Sequence, residues 1–311
     1  MNEVNYLIVS NTLDFSTDYV TAEMKNRNLK YLRINRDRFS KYDVYYKSGF
    51  LSIKMNGITY SITPSSLKSV FFRAPVFIRS NKSYSLDEQL YRSQWSSFIR
   101  NLSVFTDAKW LNHPMYTYQA ENKMYQLEIA KSIGLKVPQT IVTNTTSDIN
   151  DECMYVVKAL DTPLFHDNDN GIDTFTYSTV VNGASLKKSS LSEVPVIIQE
   201  YLNEKTDVRA TIIGDKVYSV QILQDNHGIS GDWRKTPKSQ LQYLPISLPK
   251  EIKNKLLLLM KKLNISFGGV DLIISDGDYY FIEVNPTGEW GWIEANTEYK
   301  IHNTIVEWMM S

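Results

Sequence analysis

The chain has 311 residues, of which 42% are hydrophobic and 22% are charged, a composition typical of a globular protein with two or three packed units. Because 34 Lys and Arg residues balance 34 Asp and Glu residues, no large overall charge attracts the chain to nucleic acid or to an anionic membrane surface. No apolar stretch approaches the roughly 18 residues of a membrane span, the N-terminus lacks the basic segment of a signal peptide, and the single cysteine, Cys153, suits a reducing compartment, so we expect a cytoplasmic protein.

The first third of the chain has the pattern of a small α/β unit. The predicted elements, in chain order, are a strand at 6–9, a helix at 17–28, a strand at 31–34, antiparallel hairpins at 42–62, a strand ending at 70–75 and a helix at 85–105. The β-α-β order at the start indicates a small open sheet, and Gly49 and Gly57 fit the turns of the hairpins.

A second unit is predicted to begin near residue 111. It opens with a helix at 119–132, for which Gly134 is the expected C-terminal stop. The elements that follow are strands at 140–142, 155–158, 174–181, 196–199, 210–213 and 217–223, a helix at 250–264, strands at 270–275 and 279–285, and a closing helix near 301–308. The class is therefore mixed α and β, in three units.

A pair of acids near the end of the chain is the most informative feature of the sequence. Asp276 and Gly277 indicate a hairpin, and a three-residue loop over 276–278 would place Asp271 directly opposite Glu283. Asn285 would share their face. Facing acids repel, and Mg²⁺, which takes one or two carboxylates and completes its shell with water and phosphates, would compensate. A two-residue loop would put Asp271 on the other face, and the alternative is that both acids are solvated at strand ends.

Two lysines are candidates for binding phosphate. The chain has no Gly-x-x-x-x-Gly-Lys-Ser/Thr motif and no Gly-x-Gly, so cationic side chains would have to hold any phosphates. Lys158 ends the apolar strand at 155–158, where a lone buried ammonium costs on the order of several kcal/mol unless an anion meets it. The alternative is a lysine that snorkels from the strand end. Lys123, taken alone, fits the solvated face of a helix.

The strand at 196–199 leads into Asp207 and Arg209, which are two residues apart and share one face of the next strand. An acid there can accept ribose hydroxyls, and the planar fork of Arg209 suits a phosphate. The alternative is a structural salt bridge, which is common and contributes little.

In this order along the chain, these residues resemble the ATP-grasp superfamily from about residue 111 to the C-terminus. The resemblance implies an α/β (α+β) ATP-grasp fold with a pre-ATP-grasp domain over 1–110, a small central domain over 111–198 and a C-terminal antiparallel-sheet domain over 199–311. It also implies ATP and Mg²⁺ as cofactors. The implied contacts are Lys123 and Lys158 with the ATP phosphates and the adenine side, Glu200, Tyr201 and Leu202 with adenine, Asp207 with ribose, Arg209 with the terminal phosphate, and Asp271, Glu283 and Asn285 with magnesium.

A narrower resemblance is to the microviridin-type peptide maturases, also called graspetide synthetases. It is carried by FIEVNPTGEWGWIE at 281–294, by Asp232-Trp-Arg234, and by Phe72-Arg73-Ala-Pro75, which is similar to an aromatic-Arg-x-Pro element of their N-terminal domains. It implies a homodimer that joins Asp or Glu side chains of a ribosomal precursor peptide (leader plus core) to hydroxyls as esters or to amines as amides. Asp232, as general base, and Arg234, as orienting residue, would then act beside Arg209 in catalysis.

Other interpretations stay open. A RimK-like or glutathione-synthetase-like ligase would use the same ATP-binding residues to add an amino acid to a carboxylate, and a nucleotide- or peptide-binding module would use some of them without catalysis. No basic stretch supports a nucleic-acid partner. The segment 161–173 contains only Gly171, which leaves loop closure over ATP undecided, and Trp290 and Trp292 fit either a core or a lid.

Overall fold

The computed structural model describes residues 1–73, 84–161, 164–167, 172–175, 177–189 and 191–311. Its strands are β1 (Asn2–Glu3), β2 (Tyr6–Ser10), β3 (Tyr31–Asn35), β4 (Asp43–Lys47), β5 (Phe50–Met55), β6 (Ile58–Ile62), β7 (Ser69–Phe72), β8 (Lys109–Leu111), β9 (Thr140–Thr143), β10 (Met154–Lys158), β11 (Leu164–Asp167), β12 (Ile172–Phe175), β13 (Thr179–Asn182), β14 (Val196–Glu200), β15 (Thr206–Ile213), β16 (Lys216–Gln224), β17 (Leu241–Ile246), β18 (Phe267–Ser275) and β19 (Asp278–Asn285). Its α-helices are α1 (Phe15–Asn26), α2 (Leu86–Asn101), α3 (Pro114–Ala120), α4 (Lys123–Ser132), α5 (Gly183–Lys187), α6 (Lys250–Lys262), α7 (Gly291–Ala295) and α8 (Ile301–Met310). Within these ranges, no helix has both the length and the apolar character that crossing a bilayer requires.

The N-terminal part contains two sheets, as the sequence indicated. The parallel sheet has the order β3-β2-β7-β8, and the second sheet, β1-β6-β5-β4, contains the expected antiparallel hairpins. The carboxylate of Asp14 accepts a hydrogen bond from the amide of Thr17 and so caps the first turn of α1. Helix α1 also contacts α8, so the last helix of the chain packs against the first unit.

The central sheet has the order β13-β10-β14-β9 and is antiparallel throughout. The single strand predicted over 174–181 is wrong, because the segment is divided between β12 and β13. These two strands pair with different partners, β11 and β10. Loop closure over the segment 161–173 stays undecided, because residues 162–163 and 168–171, including Gly171, lie outside the described residues.

The helix predicted over 119–132 is also corrected, because the chain forms α3 and α4 instead. Asn122 separates them with an extended conformation, and its side-chain amide donates to the carbonyl oxygens of Tyr118 and Gln119. An Asn side chain that binds nearby backbone competes with helix hydrogen bonds and favours a cap. Gly134, at φ +76°, lies just past the end of α4, as predicted.

The C-terminal sheet has the order β17-β16-β15-β18-β19, with every neighbouring pair antiparallel. Helices α4 and α6 cover it and supply the core residues Leu127, Leu256, Leu259 and Met260. The sequence did not predict β17, in which Pro245 interrupts a half-exposed pattern, or the short helix α7.

The hairpin between β18 and β19 differs from the expected one at its turn. The loop has two residues, Asp276 and Gly277, both with positive φ, so the three-residue loop was wrong. A bulge compensates, because Leu272 pairs with Phe281 while Asp271 pairs with Glu283, which leaves Ile282 without a partner. The extra residue restores the register, so the two acids are directly opposite each other.

Candidate active site

A cleft of about 790 Å³, counting space open to solvent, lies between the central and C-terminal sheets. One part of its lining is apolar and comprises Pro138, Val156, Val180, Leu202, Val208, Ile222, Leu272 and Ile282. The other part is charged and comprises Lys158, Glu200, Lys205, Asp207, Asp232, Arg234, Asp271 and Glu283. The cleft therefore brings together residues that lie more than 120 positions apart in the sequence.

Arg209 and Asp271 form the first ion pair beside this cleft. They are directly opposite each other on β15 and β18, and Arg209 Nη1 donates to Asp271 Oδ1 at 2.6 Å. The guanidinium lies over Gly269, where a Cβ atom would approach Arg209 Cζ to 2.8 Å and would displace the guanidinium. Arg209 is buried, and among the described residues its Nε has no hydrogen-bond partner.

Lys123 and Glu283 form the second ion pair, although Lys123 has no distinctive context in the sequence. Helix α4 is fixed on β19 by Gln126, whose amide donates to Val284 O and accepts from Val284 N, both at 2.8 Å. Burial raises the pKa of the Glu283 carboxyl, but the charge and hydrogen bond of Lys123 and the charge of Lys158 outweigh it and hold this pKa well below its usual range. Asn285 Nδ2 donates to Glu283 Oε1 at 3.2 Å, so Glu283 contacts both Lys123 and Asn285.

Lys158 ends β10 inside the cleft and contacts no carboxylate among the described residues. Its Nζ donates to Gln199 Oε1 at 2.8 Å, and Gln199 was not recognised from the sequence. Burial lowers the pKa of Lys158 to about 8, although Glu283 and Asp271 act in the opposite direction. A buried ammonium without a carboxylate partner is a favourable site for an anion.

Arg234 connects the acids of the site. Its Nη2 donates to Asp271 Oδ2 at 3.2 Å and its Nη1 to Asp232 Oδ1 at 3.3 Å, while its guanidinium lies 4.9 Å from the Trp233 ring centroid. Burial lowers the pKa of Arg234, but Asp271 and Asp232 outweigh it and raise the pKa above its ordinary value. Asp232 also accepts from the amide of Ser178 at 3.1 Å, so hydrogen bonds occupy both of its oxygens.

Asp207 and the segment after β14 also line the cleft. Asp207 is paired with Lys205, a residue that the sequence did not single out, yet burial raises the pKa of Asp207 more than Lys205 lowers it. Strand β14 ends at Glu200, so Tyr201 and Leu202 lie beyond its ladder, at the apolar wall.

The oxygen donors present fit a magnesium ion. Across the described part of the chain, no three His, Cys, Asp or Glu residues form a metal-binding group. Two facing carboxylates with an adjacent Asn amide are, however, the small oxygen set that suits Mg²⁺, which takes its remaining ligands from water and phosphates.

Comparison with known proteins identifies the family. The sequence pattern of the RimK-like ATP-grasp domain matches residues 120–309, which include Lys123, Lys158, Arg209 and the acids of β18 and β19. The chain belongs to this family. It is therefore an ATP-grasp ligase, in agreement with the fold expected from the sequence.

Sequence relatives of this ATP-grasp ligase include amino-acid ligases. The tetrahydromethanopterin:alpha-L-glutamate ligase of Methanocaldococcus jannaschii is 26% identical over 233 residues, which cover 68% of this chain and 75% of that protein. A probable alpha-L-glutamate ligase of Shewanella denitrificans is 24% identical over 202 residues, covering 64% and 68%.

Solved structures that resemble this ligase include peptide-modifying enzymes. A RiPP-associated ATP-grasp ligase from Chryseobacterium gregarium, in complex with ADP and a leader and core peptide, matches with a TM-score of 0.84 and 25% identity, over 100% of this chain and 97% of that one. The macrocyclase MdnC from Microcystis aeruginosa, bound with precursor peptide MdnA, has the same fold at a TM-score of 0.81 and 22% identity, over 99% of both chains.

Proposed function

We propose that this ligase activates Asp or Glu side chains of a ribosomal precursor peptide with ATP and joins them to side-chain hydroxyls or amines of the same peptide. The observation that carries the proposal is the agreement over the whole chain with the Chryseobacterium gregarium ligase, which was captured with ADP, leader and core peptide. The cleft supplies the matching chemistry, with an apolar end for a base and a charged end for phosphates.

ATP would lie along the cleft, with adenine against the apolar wall at Leu202 and with hydrogen bonds to the backbone of the segment from Glu200 to Leu202. Asp207 would accept the ribose hydroxyls. Lys158 and Lys123 would meet the phosphates, and the uptake of a phosphate explains why an ammonium is buried at the end of β10.

Asp271, Glu283 and Asn285 would hold Mg²⁺. When bound, Mg²⁺ neutralises charge on the phosphate oxygens and orients them for transfer. Arg209 is paired with Asp271 beside this site, and its guanidinium charge would stabilise the phosphoryl group during transfer.

In the first step, a carboxylate oxygen of the peptide attacks the γ-phosphorus and ADP leaves, which yields an acyl phosphate. In the second step, a hydroxyl oxygen or an amine nitrogen of the peptide attacks the acyl carbon, phosphate leaves with its bridging oxygen, and the nucleophile loses its proton. Each link thus costs one ATP and removes one water from the peptide.

Arg234 would orient the incoming carboxylate, and Asp232 would take the proton of the nucleophile. Asp232 accepts hydrogen bonds from the guanidinium of Arg234 and from the amide of Ser178. The same contacts make Asp232 the residue that fixes Arg234, so a change at Asp232 acts on the acceptor end of the reaction.

A second candidate function is the addition of a free amino acid, such as glutamate, to a carboxylate. The alpha-L-glutamate ligases among the sequence relatives favour it, because they share the ATP-grasp domain with this chain. The two candidates differ in the acceptor alone: the first lowers the mass of the substrate by whole waters, and the second raises it by an amino-acid residue.

The test is incubation of the purified protein with Mg-ATP and a candidate precursor peptide, followed by mass spectrometry. We expect ATP-dependent loss of whole waters, abolished by Glu283→Gln and retained by the control Glu251→Gln, which changes an exposed helix carboxylate that does not line the cleft. A peptide that gains a residue mass from added amino acids would replace the first candidate by the second. If the peptide loses whole waters, treatment with mild base distinguishes the two linkages, because esters hydrolyse and amides survive.

A further inference from the structure

Arg73 is a buried arginine that has no part in the reaction as proposed. It directly follows β7 in the N-terminal part of the chain, only 4% of its side chain is exposed, and it does not line the cleft. A guanidinium has five N–H donors, and the structure gives Arg73 five polar contacts, to two separate parts of the molecule.

One edge of the guanidinium binds Asp14. Arg73 Nε and Nη2 lie 3.2 and 3.5 Å from the two carboxylate oxygens, and Ser10 Oγ and Thr17 Oγ1 donate to the same carboxylate at 2.6 and 2.7 Å. Although burial raises the pKa of Asp14, Arg73 and these hydroxyls lower it to about 2. Asp14 is therefore a fixed anion that anchors Arg73 in the N-terminal part.

The other edge binds the loop at 286–289, which directly follows Asn285. Arg73 Nη1 donates to the carbonyl oxygens of Thr287 and Gly288, both at 2.8 Å, and Nη2 donates to Glu289 Oε2 at 3.2 Å. Arg73 thus ties this loop to the N-terminal part through two backbone carbonyls.

The loop at 286–289 also contacts the candidate site. Gly288 N donates to Asn285 O at 3.0 Å, and Arg209 Nη2 lies 3.5 Å from Glu289 O. A Cβ atom at Gly288 would come within 3.1 Å of Asn285 O and 3.3 Å of Arg209 Nη2, so the loop fits closely against both residues.

We propose that Arg73 is a positioning residue that holds Asn285 and Arg209 in place through the loop at 286–289. This rests on the proposed roles of Asn285 at magnesium and of Arg209 at phosphate, and it does not depend on which acceptor the ligase uses. A lysine at position 73 keeps the charge but replaces a planar fork of donors by one ammonium, which cannot bind Asp14 and both carbonyls in the same way.

The test is calorimetric titration of the full-length protein with ADP, with Mg²⁺ and with a chelator in its place. Wild type should bind ADP more tightly with Mg²⁺. In Arg73→Lys, the ratio of ADP affinity with Mg²⁺ to ADP affinity with chelator should fall by about tenfold or more, the range typical of residues that orient metal ligands. The ADP affinity of this variant in chelator should stay within about twofold of wild type. Arg27→Lys is the control, because Arg27 is a partly buried arginine of the same part that pairs with Glu23 and, within the described residues, contacts neither Asp14 nor the loop.

Gly288→Ala provides an independent variant that leaves Arg73 and Asp14 unchanged and crowds the loop against Asn285 and Arg209. It should reproduce the loss of the Mg²⁺ effect, which keeps the test decisive if Arg73→Lys does not fold. An unchanged Mg²⁺ effect in a folded Arg73→Lys or Gly288→Ala protein would overturn the proposal. So would an equal loss of ADP affinity with Mg²⁺ and with chelator, which indicates general damage, or a wild type without any Mg²⁺ effect.

The same preparations distinguish this proposal from the proposed function. A wild type that shows the Mg²⁺ effect on ADP binding but leaves precursor peptides unchanged would count against peptide cross-linking and leave the role of Arg73 standing. Cross-linking by wild type, together with an unchanged Mg²⁺ effect in Arg73→Lys, would support the proposed function and count against the role of Arg73.

Discussion

Asp271 and Glu283 lie directly opposite each other on neighbouring strands, and each carboxylate contacts different cationic side chains. Arg209 and Arg234 bind the oxygens of Asp271, and Lys123 binds Glu283. The repulsion between two facing acids is thus balanced by positive side chains, which can also bind a polyphosphate. The arrangement explains why acidic and basic side chains lie next to each other in the charged lining of the cleft.

Arg209→Lys should reduce turnover by about 100-fold or more, the usual effect of losing one donor to a charged transition state. The planar fork that contacts Asp271 is lost, and a lysine ammonium is a single point charge. The measurement is the rate of ADP release at saturating ATP and peptide. Arg92→Lys, at an exposed helix pair with Glu88, is the control and should keep wild-type turnover. Equal rates for Arg209→Lys and wild type would remove Arg209 from the reaction.

Nucleotide binding should be linked to the protonation of Lys158. Its pKa of about 8 in the free protein should rise when phosphate binds, so ADP binding takes up a proton at about pH 9 and almost none from Lys158 at about pH 7. Affinity should therefore fall as the pH rises above about 8. Calorimetry in buffers of different ionisation enthalpy measures the uptake. Lys158→Met should abolish it, and uptake that persists in this variant would show that another group titrates.

Asp232→Asn should slow ring formation by about tenfold or more while ADP affinity stays within about twofold of wild type. The reason is that Asp232 fixes Arg234 at the acceptor end of the cleft. The rate is measured as peptide conversion by mass spectrometry, and the ADP affinity is measured by calorimetric titration. If ADP affinity falls as much as the rate, Asp232 supports the nucleotide instead.

Gln126→Leu should lower the free energy of unfolding by about 2 kcal/mol or more, because it leaves the buried amide and carbonyl of Val284 without partners. Chemical denaturation measures the loss. The control is Gln89→Leu, which removes a single hydrogen bond to Tyr84 at an exposed site and should cost less than about 0.5 kcal/mol. Similar losses in the two variants would contradict the view that Gln126 fixes α4 on β19.

Much of the fold follows from local patterns in the sequence. The apolar strands β2, β3, β14 and β16 and the amphipathic helices α2, α6 and α8 lie close to their predicted positions. The errors occur where a local pattern competes with long-range pairing. The strand predicted over 174–181 is divided because β12 and β13 have different partners, and the helix predicted over 119–132 breaks at Asn122.

Only part of the candidate site could be predicted from the sequence, and the reasons are physical. Asp271 and Glu283 face each other as expected, but the reason given was wrong: the turn has two residues, and the bulge at Ile282, which no local signal marks, restores the register. Gln126, Gln199 and Lys205 have ordinary contexts in the sequence and gain their roles from neighbours 41 to 158 positions away or from burial. Trp290 is fully buried, and Trp292 packs against Trp233 and Tyr243.

The central claim is that a side-chain carboxylate of the peptide is activated by ATP and then captured within the same peptide. The most direct measurement uses a precursor peptide whose Asp and Glu carboxylates carry ¹⁸O, incubated with Mg-ATP, with the masses of both peptide and released phosphate determined. Our account predicts that the peptide loses one labelled water per link and that one ¹⁸O atom appears in the phosphate for each link. A phosphate without label, or a peptide that gains an amino-acid mass, would contradict it.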